Sequence, residues 1–109
     1  MTDKQALFSA IGLCAKSGKA VFGTPLIGDF LHGGKRVFLV VGAMDVSDNT
    51  WEKLFNKCAF YGVPLVKVAV TMQELGNATG KHKPLSAIGI ADENLAVLLR
   101  SKLNDFIIV

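Results

Sequence analysis

The stretch Gly33-Gly34-Lys35-Arg36-Val37-Phe38-Leu39-Val40-Val41 decides the fold. Paired glycines supply the positive backbone dihedral angles that finish a helix. The run Val37 to Val41 is then apolar throughout and rich in β-branched residues. It lacks the polar alternation of a strand with one wet face, so it reads as a strand covered on both faces and central in its sheet. Helices are the usual cover for such a strand, and the flanking sequence supplies them.

Upstream, Asp3 to Ser17 carries Leu7, Ala10, Ile11, Cys14 and Ala15 at three- and four-residue steps, the pattern of an amphipathic helix. Thr2 or Asp3 suits its start, Lys16 meets its negative end, and Gly18 stops it. Ala20-Val21-Phe22 is short and extended. Gly23-Thr24-Pro25 opens a second helix, with Thr24 as N-cap, Pro25 as first helical residue, and Leu26, Ile27, Phe30 and Leu31 facing inward.

Downstream, Asp45 to Asn49 is rich in capping residues, and Trp51, Leu54, Phe55 and Cys58 recur at helical spacing until Gly62-Val63-Pro64. Leu65 to Val70 reads as a strand. Thr71-Met72-Gln73-Glu74 fits a capping box for a short helix, Gly76 to Pro84 a polar loop, and Leu85 to Ala91 a further strand. Asp92 caps a last helix with Leu95, Ala96, Leu98 and Leu99 inward. Asp105 to Val109 is left as an apolar tail that must dock or remain sticky.

Strands alternate with helices over connections too long for hairpins, which predicts a three-layer α/β/α sandwich around a mostly parallel or mixed sheet of about four strands. At 109 residues the chain is expected to be one domain, 1–109, burying some two-thirds of its surface and leaving roughly 5,900 Å² exposed. Half the residues are apolar and 19% charged, which excludes disorder for most of the chain. No apolar run approaches the about 20 residues that span a bilayer, and Met1 to Lys4 lacks the layout of a signal peptide. A cytoplasmic protein without a membrane partner is expected, with Cys14 and Cys58 as thiols.

Little points to catalysis. His32 closes a helix and His82 sits in a basic loop, neither beside an evident carboxylate orienter. The cysteines lie on apolar stripes, Gly18-Lys19 lacks the spacing of a phosphate-binding loop, and the carboxylates cluster at helix starts where capping explains them. A non-enzymatic protein with no cofactor and no metal is expected.

The charge is +3, mild support for an anionic partner. Two stretches join flexible backbone to positive charge. Lys16, Gly18, Lys19, Gly23 and Thr24 lead into a helix whose free amides and positive dipole end suit a phosphate. Gly80-Lys81-His82-Lys83-Pro84 lies between Glu74 and Asp92 with no acid in between. Platforms for stacking bases are not evident, since Phe8, Phe30, Phe55 and Trp51 fall mostly on helix stripes, with Phe22 and Tyr61 unplaced. Binding of folded RNA by shape is therefore favoured over binding of single strands.

The runs Leu13-Cys14-Ala15-Lys16-Ser17-Gly18-Lys19, Gly23-Thr24, Ser47-Asp48-Asn49-Thr50 with Lys53-Leu54, Lys57-Cys58-Ala59-Phe60-Tyr61-Gly62-Val63-Pro64 and Leu75-Gly76-Asn77-Ala78-Thr79-Gly80-Lys81 occur in an order that resembles one family. This is the kink-turn RNA-binding ribosomal-protein superfamily of L7Ae and L30e type, especially its small bacterial YlxQ-type members. The resemblance spans roughly residues 4 to 103. It implies an L30e-like α/β/α sandwich and a non-catalytic, ribosome-associated RNA-binding protein that meets RNA at Gly23-Thr24 and at Gly80 to Pro84.

Where the family resembles Gly-Thr-Asn-Glu-x-x-Lys, this chain has Gly23-Thr24-Pro25-Leu26-Ile27-Gly28-Asp29. Pro25 has no amide donor, Leu26 cannot read a base edge, and Asp29 stands where a lysine is expected. The expected RNA-binding residues are Lys16, Lys19, Gly23, Thr24, Lys81, His82 and Lys83, acting through shape and phosphates on ribosomal or other folded RNA. The competing expectation is an interaction module or homodimer, joined through the apolar tail, that kept the fold and lost kink-turn recognition.

Overall fold

A computed structural model describes residues 3–108 of the chain. The candidate cap Thr2 and the tail's last residue, Val109, lie outside the described residues. In chain order the elements are α1 (Asp3–Lys16), β1 (Ala20–Phe22), α2 (Thr24–His32), β2 (Leu39–Gly42), α3 (Asp48–Tyr61), β3 (Leu65–Lys67), α4 (Met72–Ala78), β4 (Ala87–Ile90) and α5 (Glu93–Leu103), followed by a short 3-10 turn over Asn104–Phe106.

The four strands form one sheet in the order β1-β4-β2-β3. Its centre is the Val37 to Val41 region, as its double-sided apolarity requires: Val40 faces Gly89 of β4 on one side and Leu65 of β3 on the other. The sheet is mixed, not mostly parallel. Of the three strand pairings only β2–β3 is parallel, while β4 is antiparallel to both β1 and β2. The long return from α4 carries the chain back to the sheet end it had just left, so β4 starts where the other strands finish.

Strand alternation divides the core in two. Leu39, Val41, Ile88 and Ile90 pack with Leu7, Ile11, Cys14, Leu75, Leu99 and Leu103 of α1, α4 and α5. Val40 and Ala87 face the other way, against Ile27 and Leu31 of α2 and Leu54 and Cys58 of α3. These are the three expected layers, and the exposed area, 5969 Å², agrees with that expected for a chain of this mass. Burial pushes the Cys58 thiol up to about 11 and raises that of Cys14. Both are free.

Local chemistry sets the boundaries. The Ser47 side chain accepts from the Thr50 amide to start α3, and Asp92 does the same for Leu95 of α5. Thr71 and Glu74 form the expected capping box of α4. Of the strand expected over Leu65 to Val70, the regular ladder with β2 covers Leu65–Lys67. Beyond it the Val68 amide still donates to the Gly42 carbonyl and the Val70 carbonyl accepts from the Met44 amide, while the tail pairs along the opposite edge. There the Ala69 amide donates to the Phe106 carbonyl at 2.8 Å, the Ile108 amide donates to the Lys67 carbonyl at 2.7 Å, and Val68 bridges Ile107. The tail is thus docked along the open edge of β3, with Phe106 packed against the core. On α5 the fully buried residues are Ala96, Leu99 and Leu103, with Leu95 and Leu98 half-buried. On α3, Phe55 points outward and is 54% exposed, which corrects its placement on the buried stripe. Among the described residues no helix is long and apolar enough to cross a membrane.

Candidate nucleic-acid interface

The strand directions put the ends of β1, β2 and β3 and the start of β4 at one pole of the sheet. At this pole β1 turns into α2 through Gly23, whose φ of 88° is one that L side chains rarely adopt. The Gly23 amide donates to the Ala87 carbonyl at 2.9 Å. The Thr24 amide donates to Ser86 Oγ at 3.2 Å, and Thr24 Oγ1 lies 2.9 Å from the same oxygen. Thr24 is therefore not the N-cap of α2: Gly23 holds that position, with no side-chain cap. Its hydroxyl ties the helix to the strand beside it. Since Pro25 has no amide proton, Leu26 alone among the first three helical residues has an amide left for an anion, fewer than the sequence suggested.

The loop between α4 and β4 is fastened just as firmly. The Thr79 hydroxyl and the Lys81 amide both donate to the Gly76 carbonyl, at 2.7 and 3.2 Å, and the Leu85 amide donates to that of Met72 at 2.9 Å. A Cβ built on Gly76 would overlap the Lys83 carbonyl, so only glycine lets the loop lie against α4. His82 has a φ of 57°, in the left-handed region. Lys81 turns back with Nζ 4.4 Å from the centroid of Phe22, the last residue of β1, within cation–π range. Lys81, His82 and Lys83 are exposed.

Gly23, Thr24 and the 80–84 loop thus share one pole. Lys16 and Lys19 do not join them. They flank the start of β1, and the Lys19 carbonyl accepts from the Ala91 amide at the far end of β4. The four chain steps from Lys19 to Gly23 span roughly 13 Å of extended chain, enough to send the two halves of one basic segment to opposite ends of the sheet. Lys19 lines a hollow of about 410 Å³ with Lys35 and Arg36. The latter two rest on rings, Lys35 over Phe30 at 5.2 Å and Arg36 over Phe38 at 4.7 Å.

The sequence reading missed three residues at the first pole. Ser86 is the partner of Thr24, and as the polar residue inside an apolar strand signal it was the visible hint. Lys53 and Lys57 of α3 line a groove of about 520 Å³ with Thr24, Pro25, Asp29 and Ser86. The groove therefore holds two lysines and one carboxylate. Helical spacing of Lys53 and Lys57 was readable, but not that α2 would lie beside them.

With this geometry in hand the class is fixed: the chain belongs to the Ribosomal protein L7Ae/L30e/S12e/Gadd45 family, whose model matches residues 5–99. Within it the chain falls in the YlxQ-like branch. It is 32% identical to RNA-binding protein YlxQ of Bacillus subtilis (strain 168) over 89% of this chain and 94% of that one. It is 30% identical to RNA-binding protein YlxQ of Enterococcus faecium, over 86% and 87%. Among solved structures, a protein of unknown function from Bacillus halodurans C superposes with a TM-score of 0.79 at 30% identity, over 90% of this chain and 96% of that one. The Giardia lamblia 15.5kD RNA binding protein superposes at 0.71 with 21% identity, over 94% and 86%, a likeness of fold.

Proposed function

We propose that this chain is a non-catalytic RNA-binding protein that docks the pole formed by the α2 start, the 80–84 loop and the α3 lysines onto folded RNA. The observation that carries the reading is the lock between Thr24 and Ser86. It joins the helix start to the strand that the basic loop feeds, so one hydrogen-bonded frame carries Lys81, His82 and Lys83 on the loop and, along the groove shared with Thr24 and Ser86, Lys53 and Lys57 of α3. Such a surface contacts phosphates and sugars by position, and shape supplies the selectivity. Membership of the family and the names of the YlxQ relatives support RNA as the partner.

Base-specific reading at the α2 start is weak, because Pro25 and the 56% exposed Leu26 offer no side-chain donor or acceptor and Asp29 opposes phosphate. The ligand is accordingly a kink-turn-like or other compact ribosomal RNA fold recognised by its backbone, and the protein associates with ribosomal particles through it. Lys16 and Lys19 belong to the opposite pole and contribute less.

Filter binding of the chain to a kink-turn RNA and to ribosomal RNA fragments across a salt series tests this. Wild-type protein binds, and Lys81→Glu lowers affinity about tenfold while reducing the salt slope by about one. Absence of binding, or equal binding by both proteins, overturns the reading.

A further inference from the structure

The outer face of α3 carries Lys53, Asn56, Lys57 and Phe60 at helical steps of three and four, so they form one stripe. Phe60 is 81% exposed, unusual for the side chain with the largest purely apolar surface. Its ring is held edge-on by Tyr61, centroid to centroid 4.9 Å. The stripe lines a shallow concavity of about 420 Å³ with Tyr61 and no carboxylate. This concavity shares Lys53 and Lys57 with the groove at the RNA-facing pole. Tyr61 also borders the next hollow, about 640 Å³, where Lys35 and Arg36 stand. Helical rise places Phe60 roughly 10 Å along α3 from Lys53.

We infer that this flank of α3 binds an unpaired, single-stranded extension of the RNA held at the pole. A base stacks on Phe60, Lys53 and Lys57 carry the phosphates leading to it, and Asn56 faces the base edge. The inference rests on the function proposed above and extends it from the pole along the helix. An exposed ring in a hollow lined by two lysines and an amide, with no acid among the lining residues, has the composition of a stacking platform for nucleic acid. It also gives the opposite cationic pole a role, since the strand leaving Phe60 heads towards Arg36.

The test compares a blunt kink-turn RNA with the same RNA carrying a short oligoadenosine overhang at either end, one overhang adenosine replaced by 2-aminopurine. The overhang RNA binds roughly tenfold tighter than the blunt one, and 2-aminopurine fluorescence is quenched on binding. Phe60→Ala abolishes both effects without altering affinity for the blunt RNA, while Phe60→Trp keeps them. At this exposed position neither substitution disturbs the core. An overhang that adds nothing, or adds equally to wild-type and Phe60→Ala, overturns the inference and leaves the pole reading standing. Loss of blunt binding alone strikes the pole reading instead. Self-association of wild-type protein that disappears in Phe60→Ala, read by light scattering, also overturns it by making the ring a protein contact.

Discussion

The two ends of the sheet are both cationic, yet they are built differently. At the Gly23 end, three separate pieces of chain are locked to one another by backbone and hydroxyl hydrogen bonds, and the lysines stand on that frame. At the Lys19 end the backbone is tied as well, the Ala91 amide donating to the Lys19 carbonyl and the Lys35 amide to that of Phe30. There, however, the side chains of Lys35 and Arg36 lie over rings, and no residue lining the hollow they share with Lys19 begins a helix. Charge alone does not make a recognition surface. Shape readout needs a backbone that holds its form without the ligand, since ordering it on binding costs affinity.

The strongest way to break this contrast is to unfasten the locked end. Gly76→Val forces a side chain onto the Lys83 carbonyl, and is expected to cost about 3 kcal/mol in urea denaturation and to abolish RNA binding. Next comes charge reversal at each end in turn. Lys81→Glu is expected to weaken binding of compact RNA about tenfold and Lys19→Glu about twofold, measured by filter binding at fixed salt; equal losses would erase the distinction between the ends.

Smaller still is Ser86→Ala, which removes the oxygen that accepts from the Thr24 amide and shares a hydrogen bond with the Thr24 hydroxyl. It should cost about 1–2 kcal/mol of stability, and amide exchange should quicken at Thr24 but not at Lys19. The smallest effect concerns the helix that carries the basic loop. The Glu74 carboxyl is held below its ordinary value of 4.5, first by its 2.7 Å bond to Lys4 and then by the Thr71 amide. A group with a lowered folded-state value adds stability that is present above pH 4.5 and is lost as pH falls further. Urea midpoints between pH 6 and about 3 should therefore drop in wild-type protein and drop less in Glu74→Gln.

Most of the fold was legible because the signals were local and agreed with one another. The Thr71 capping box, the Asp92 cap and the apolar run at Val37 each dictated their element without help from afar. Strand direction was not local: whether β4 runs with or against β2 depends on where the 79–86 return crosses the molecule, and no residue encodes that by itself. The grouping of the candidate site at one pole was legible in half for the same reason. Gly23-Thr24 and Gly80 to Pro84 were found from turn chemistry and charge, but the three-residue length of β1, which separates Lys19 from Thr24, made sequence neighbours spatial opposites. Phe60 escaped because helical periodicity around Leu54 and Cys58 directs attention to the buried stripe, while its significance lies in what it leaves outside.

The tail pairing described for Ala69 and Ile108 has a colloidal consequence. An uncovered β3 flank would present free amides and carbonyls in a row, a template on which a stranger's extended chain can grow. By laying its own Phe106 to Ile108 there, the protein blunts one of the two margins from which fibrils and mispaired assemblies would start, the other margin being a strand of only three residues.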